Sequence, residues 1–320
     1  MSINIVENIS LAQYTSIRIG GPARFFCIVK NEEELSEALR FAKDKDLSVF
    51  LLGGGCNSLF PDNGIDGLVM KIQNMEFQNL GNSIFMIGAG VGLGFLAQET
   101  VKAGYEGAEW CAGVPGTVGG AIFGNAGAFG GEMKDIIDEV EYIDAKLKIK
   151  SEKLKVIECE FGYRESIFKK QPEWVIIRAR IKLKAGNIAE GQGKIKEYLD
   201  KKRTTQDLTN KSAGCTFKNP KLSSNPKIIE KLRDRLEMTD NDFKELVKTG
   251  HISAGFLIDR LGLKGKRIGG IQISETHANF LINTGNARAE DVIMMASLIK
   301  EKVRNHFGIQ LQEEIQLIGF

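Results

Sequence analysis

Ser48-Val-Phe-Leu-Leu-Gly-Gly-Gly-Cys-Asn57 is the stretch whose reading decides the fold. Four apolar residues follow Ser48 and read as a buried strand, which runs straight into three glycines. Lacking Cβ atoms, such residues turn the backbone sharply and point several N–H groups at one spot, where a pyrophosphate can approach closely. A plain turn without ligand suits the same residues. Upstream, Ala23-Arg-Phe-Phe-Cys-Ile-Val29 reads as another strand. Asn31 then offers an N-cap, and Glu32, Glu33 and Glu34 occupy the first turn of a helix, where its dipole favours them. Leu35, Ala38, Leu39 and Ala42 recur at three and four, the spacing of one helix face. This strand–helix–strand order predicts a parallel pair with a crossover helix.

Downstream lies a second loop, Gly113-Val-Pro-Gly-Thr-Val-Gly-Gly-Ala-Ile-Phe-Gly-Asn-Ala-Gly-Ala-Phe-Gly-Gly-Glu132. Glycine is the outlier of the composition, with 36 residues where average usage gives roughly 22. No G-x-y period is present, which excludes collagen, and apolar stretches around the glycines argue against a linker. Small residues over this length let the backbone lie against a large flat or extended ligand, although a purely structural role fits them too. Two such loops predict an elongated, phosphate-containing cofactor held between them. Gly92-Leu-Gly-Phe-Leu-Ala97 fits a loose GxGxxA pattern, but the expected crossover around it is missing, so a Rossmann site is discounted. P-loop and G-x-S-x-G signatures are absent.

At 320 residues the chain suits about two domains or three small ones. Lys+Arg of 43 against Asp+Glu of 41 gives no general pull toward nucleic acid or anionic membranes. Cys27, Cys56, Cys111, Cys159 and Cys215 form no CxxC pair, and three histidines are scattered, so neither a disulfide framework nor a metal centre is expected. With no signal-peptide pattern and no membrane-length apolar run, a cytoplasmic setting is expected.

Strand-like runs occupy 83–88 and 174–183. Helices are expected over 194–203, as a pair within 226–248 with Thr239 and Asp242 as a cap and Gly250 as a stop, and over 288–306 with Val292, Ala296, Ile299 and Val303 on one face. The tail 309–320 alternates enough to be a strand, with Glu314 on the face opposite Glu313. Three side chains carry chemistry. Arg164, among apolar and aromatic residues, is either a partner for a neighbouring acid or a fork for a carboxylate or enolate oxygen. Cys215, on the small-residue turn Ser212-Ala-Gly-Cys215, is either an inert thiol or a proton donor. The third is Glu314.

The ordered set Thr15-Ser-Ile-Arg-Ile-Gly-Gly-Pro-Ala23, Gly53-Gly-Gly-Cys-Asn57, Gly113-Val-Pro-Gly-Thr-Val-Gly-Gly120, Asn125-Ala-Gly-Ala-Phe-Gly-Gly-Glu132, Tyr163-Arg-Glu-Ser166, Ser212-Ala-Gly-Cys-Thr-Phe-Lys-Asn-Pro220, Ala254-Gly-Phe-Leu-Ile-Asp259, Ser274-Glu-Thr-His-Ala-Asn-Phe280 and Glu314-Ile-Gln-Leu-Ile-Gly319 resembles the UDP-N-acetylenolpyruvoylglucosamine reductase family. The resemblance implies an α+β fold: two FAD-binding subdomains of the vanillyl-alcohol-oxidase type (1–70 and 71–186), a substrate-binding domain (187–308) and a C-terminal strand (309–320) carrying Glu314. It implies non-covalent FAD, NADPH as co-substrate, and reduction of UDP-N-acetylglucosamine enolpyruvate to UDP-N-acetylmuramate in peptidoglycan precursor synthesis.

By the same resemblance Arg164 and Glu314 stabilise the enolic form, and Cys215 stands as proton donor where many relatives carry serine. Gly53, Gly54, Gly55, Cys56, Asn57, Gly113, Gly116, Thr117, Gly119, Gly120, Asn125 and Gly127 are expected at the cofactor, with Cys56 serving backbone shape. Lys218 and Asn219 are candidates for the diphosphate of the substrate. His277 and Asn279 either line the active site or form a structural turn. Residues 221–250 exceed the few that usually connect the flanking motifs and either cap the substrate site or decorate the surface, with decoration expected. A monomer without metal, nucleic acid or membrane insertion is expected. Competing readings are a hydroxy-acid oxidase or dehydrogenase on the same scaffold, and a non-catalytic flavin-binding module.

Overall fold

The structure, a computed structural model, describes residues 3–145, 151–206, 210–223 and 226–320. It forms two compact units that share the chain unevenly. The first holds Met1–Ser10, Pro22–Cys56 and Gly64–Thr204; the second holds Leu11–Gly21, Asn57–Asn63 and Thr205–Phe320. Both mix helices and strands, so the class is α+β.

In the first unit, strands Pro22–Val29 and Val49–Leu52 flank the helix Glu32–Asp44, as the sequence predicts. Asn31 Oδ1 caps that helix by accepting from Glu34 N at 2.9 Å. The two strands run parallel without being neighbours, because Ile65–Ile72 lies between them and is parallel to both. The central place in a parallel sheet goes to the strand most apolar on both faces, and Leu68, Val69 and Met70 are wholly buried. A second, antiparallel sheet has the order Ser151–Lys155, Ile137–Asp144, Trp174–Lys182, Ile84–Gly88, Phe77–Gly81. The helix expected from 194 starts earlier and runs Ile188–Thr205 within this unit. Gly191 and Gly193 obscured its start, since glycine disfavours helix interiors. A Cβ at Gly191 would stand 2.7 Å from Val101 Cγ1, so the bare backbone is what lets this helix meet Leu93–Lys102.

The second unit is built on four antiparallel strands in the order Ser212–Cys215, Phe280–Asn283, Ile271–Ile273, Arg267–Ile268. Helix Ala289–Phe307 buries Val292, Ala296, Ile299 and Val303, the face read from the sequence. Segment 221–250 differs from expectation. It forms helices Pro226–Leu236 and Asp240–Val247, the latter capped by Thr239 Oγ1 accepting from Asp242 N. Leu232, Leu236 and Phe243 are buried in the same core as Val292 and Ile299, so the segment is part of that core and not surface decoration. Backbone bonds from Ile252 N to Pro220 O and from Leu222 N to Gly250 O, each 3.0 Å, close its neck.

The tail also departs from the reading. Only Gln316–Leu317 is strand, parallel to Ser58–Leu59. The preceding backbone bonds irregularly to 216–218, with Lys218 N on Gln312 O at 2.9 Å and Glu314 N on Thr216 O at 2.8 Å. Among the described residues no helix is long and apolar enough to cross a membrane.

Candidate active site

The two glycine loops lie in the first unit and face one another. A Cβ at Gly53 would stand 2.8 Å from Thr117 Oγ1, and one at Gly54 would stand 3.0 Å from Gly116 Cα. Backbones approach that closely only where side chains are missing. Gly55 and Gly116 have φ of 66° and 116°, values that favour glycine. The second loop is laced from behind, with Leu93 N donating to Gly116 O and Val118 N to Val91 O. No acidic residue occurs in 53–56 or 116–120. Bare backbone in a notch that one methyl group would fill, with no negative charge among its residues, suits the phosphates of a dinucleotide, so the residues fit FAD. Gly53, Gly54, Gly55, Gly116, Thr117 and Gly120 are the residues that would hold it.

Other expected cofactor residues have structural work of their own. Gly113 packs on Leu199 and Lys202, and its carbonyl accepts from Lys202 Nζ at 3.0 Å. Gly119 packs on Ala89, and Gly127 on the backbone of Gly131. Cys56 Sγ donates to Gly54 O within its own turn, and burial pushes its thiol pKa up. Asn57 belongs to the second unit, where its Nδ2 holds the Glu314 carbonyl.

Asn125 is wholly buried. Its Nδ2 donates to Glu132 Oε2 at 2.6 Å and to Gly162 O at 2.9 Å, and its Oδ1 accepts from Lys134 N at 3.1 Å. The side chain is thus committed to the turn that carries Arg164. In that turn Gly162 and Glu165 exchange both backbone bonds, and Arg164 sits at φ 58°. Ser166 Oγ donates to Phe123 O and Lys169 Nζ to Arg164 O, strapping the turn down. Arg164 Nη2 donates to Gly127 O at 3.3 Å, and its guanidinium lies 5.3 Å from the centre of the Tyr163 ring. A non-glycine residue held left-handed by its surroundings is typical of functional turns.

The second unit brings Cys215 and Glu314 onto hydrogen-bonded segments. Cys215 pairs with Phe280 at the end of its strand, and the next residue, Thr216, accepts from Glu314 N through its carbonyl. Glu313 is bound to Lys300 at 2.7 Å, which separates the roles of the two adjacent glutamates. Asn219 Oδ1 accepts from Ala254 N at 3.0 Å. His277 Nδ1 is buried without a partner, and burial pushes the imidazole pKa down. Sequence reading missed the clamping role of Asn125. The available signal was an asparagine, which tolerates left-handed backbone, between glycines at a chain reversal. The cysteines form no disulfide, and no group of metal-ligating side chains occurs among the described residues.

A FAD binding domain family matches residues 23–150, the part that holds both glycine loops, and by this match together with its relatives the chain is a FAD-dependent oxidoreductase. A second family, described as the C-terminal domain of UDP-N-acetylenolpyruvoylglucosamine reductase, matches residues 206–318. Curated UDP-N-acetylenolpyruvoylglucosamine reductases from Caldanaerobacter subterraneus and a Synechococcus species are 34% and 35% identical to the chain. They cover 98% and 100% of it, over 93% of their own lengths. The crystal structure of the Thermus caldophilus reductase superposes with a TM-score of 0.76 at 31% identity, covering 99% of each chain. The chain therefore belongs to the UDP-N-acetylenolpyruvoylglucosamine reductase family.

Proposed function

We propose that the chain uses NADPH to reduce UDP-N-acetylglucosamine enolpyruvate to UDP-N-acetylmuramate, a cytoplasmic step toward peptidoglycan. The observation that carries this reading is the attachment of Cys215 and Glu314 to one hydrogen-bonded frame in the domain whose family bears that activity's name. FAD, held by the two glycine loops, would supply the hydride chemistry at the terminal alkene carbon, with NADPH as the source of reducing equivalents. The charge pushed onto the neighbouring carbon and its carboxylate is that of an enolate, which needs a cation and a proton source. Arg164 offers the cation through a fork that matches a carboxylate. The Glu314 carboxyl group flanks the substrate carboxylate and stabilises its enolic form. The Cys215 thiol gives its proton to the carbon, closing the new C–H bond, and regains one from solvent. Lys218 and Asn219 meet the diphosphate.

The test is the visible spectrum of the purified protein. A flavin spectrum that bleaches with NADPH and returns on adding the enolpyruvyl substrate supports the reading. A colourless protein that takes up no added FAD contradicts it.

A further inference from the structure

We infer that Asn279 is a positioning residue that fixes the spacing between Cys215 and Glu314 for the proton-delivery step, an inference that rests on the reaction proposed above. Asn279 is 2% exposed, on the turn that brings Phe280 opposite Cys215. One residue past Cys215 the strand ladder ends, and Asn279 replaces it. Its backbone carbonyl accepts from Thr216 N at 2.8 Å. Its Oδ1 accepts from Phe217 N at 3.0 Å and its Nδ2 donates to Phe217 O at 2.8 Å.

Thr216 O in turn accepts from Glu314 N at 2.8 Å. Asn279 thus holds Thr216 through its backbone and Phe217 through its side chain, and Thr216 is the residue that adjoins Cys215 in the chain and accepts from Glu314. Phe217 is 1% exposed, so water has little access to replace these bonds. The arrangement needs a planar group with one donor and one acceptor, which a carboxamide or a neutral carboxylic acid provides and a carboxylate does not.

The test uses FAD-loaded Asn279→Ala and Asn279→Asp beside the parent, measuring flavin content, thermal midpoint, flavin reduction by NADPH and reoxidation by UDP-N-acetylglucosamine enolpyruvate. Asn279→Ala is expected to keep its flavin and its reduction by NADPH while reoxidation falls ~10²-fold, mainly in kcat, as for a small misplacement of reacting groups. Asn279→Asp approaches the parent at acid pH, where the neutral acid restores both bonds, and falls away relative to the parent as pH rises and the carboxyl ionises. The ionisable residues on the bonded segments are Cys215, Lys218, Glu313 and Glu314, with Glu275 and His277 on the turn itself.

Parent-like reoxidation in Asn279→Ala overturns the inference. If that variant loses its flavin, an Asn279→Asp to parent ratio that is flat with pH overturns it, and a falling ratio supports it. A parent that binds FAD but never passes hydride to this substrate instead removes the reading beneath it.

Discussion

Asn57 Nδ2 donates to the backbone carbonyl of Glu314 at 3.0 Å, across 257 residues of chain. Gln316 N returns a bond to Asn57 O at 2.9 Å, so the side chain and backbone of one residue hold the segment that carries Glu314. Asn57→Ala is expected to keep its FAD while losing stability by about 0.5–1.5 kcal/mol, the cost of one hydrogen bond, because Gln316 Nε2 still donates to the Glu314 carbonyl at 2.9 Å. Turnover of the enolpyruvyl substrate should fall with it. Loss of flavin with intact substrate turnover after reconstitution would instead support Asn57 as a cofactor residue.

Burial pushes the thiol pKa values of Cys27 and Cys159 up to about 12 and raises those of Cys56 and Cys111 as well. Cys27, Cys111 and Cys159 are buried and Cys56 is tied into its own turn, whereas Cys215 is half-buried, so an alkylating reagent is expected to reach Cys215 first. Peptide mapping should find one early adduct there, slowed by the enolpyruvyl substrate and accompanied by inactivation. Cys215→Ser should retain substantial activity, because a hydroxyl also delivers a proton, and Cys215→Ala should lose most turnover. Normal turnover in the alanine variant would sink the proton-donor role.

Gly54→Ala places a methyl group 3.0 Å from Gly116 Cα. Backbone must shift to admit it, and FAD affinity measured by flavin titration should fall at least ~10-fold, about 1.4 kcal/mol. Gly193→Ala is the contrast. Nothing lies within 4 Å of a Cβ there, and the site is within helix Ile188–Thr205. It should raise stability by about 0.5–1 kcal/mol without touching flavin binding.

Arg164 is held at φ 58°, where an L-residue costs ~1–2 kcal/mol relative to glycine. Arg164→Gly relieves that strain while removing the cation. The variant should unfold no earlier than the parent and keep its flavin, yet lose ~10²–10³-fold in kcat, the range for removing a charge-stabilising donor. Stability falling together with activity would mark Arg164 as structural.

His277 is kept neutral by burial, its pKa lowered from 6.5. The unfolded chain takes up a proton that the folded chain resists, so the stability due to this residue is present above pH ~6.5 and lost as pH falls below it. Denaturant unfolding of His277→Gln across pH 5–7 should show a shallower acid loss than the parent (the range brackets the ordinary histidine value). An equally steep loss would place the acid sensitivity elsewhere.

The first strand–helix–strand was legible because cap, dipole and periodicity agree around Asn31 and Leu35–Ala42. The insertion of Ile65–Ile72 between the two strands was not, since pairing order depends on burial that only the assembled sheet reveals. The glycine loops announced themselves, but their mutual approach at Gly54 and Gly116 is a three-dimensional fact. Arg164, Cys215 and Glu314 stood out by motif, whereas the amides that hold their segments, Asn57, Asn125 and Asn279, act through backbone groups distant in sequence. Residues 226–247 read correctly as helices, yet their burial against the helix Ala289–Phe307 was invisible to local pattern.

The most direct measurement follows NADPH consumption by the FAD-loaded protein with and without UDP-N-acetylglucosamine enolpyruvate, and identifies the product by mass. Consumption is expected to depend on that substrate and to yield UDP-N-acetylmuramate in equal amount. NADPH consumption indifferent to the substrate, with the enolpyruvyl group recovered unreduced, would contradict the proposed reaction.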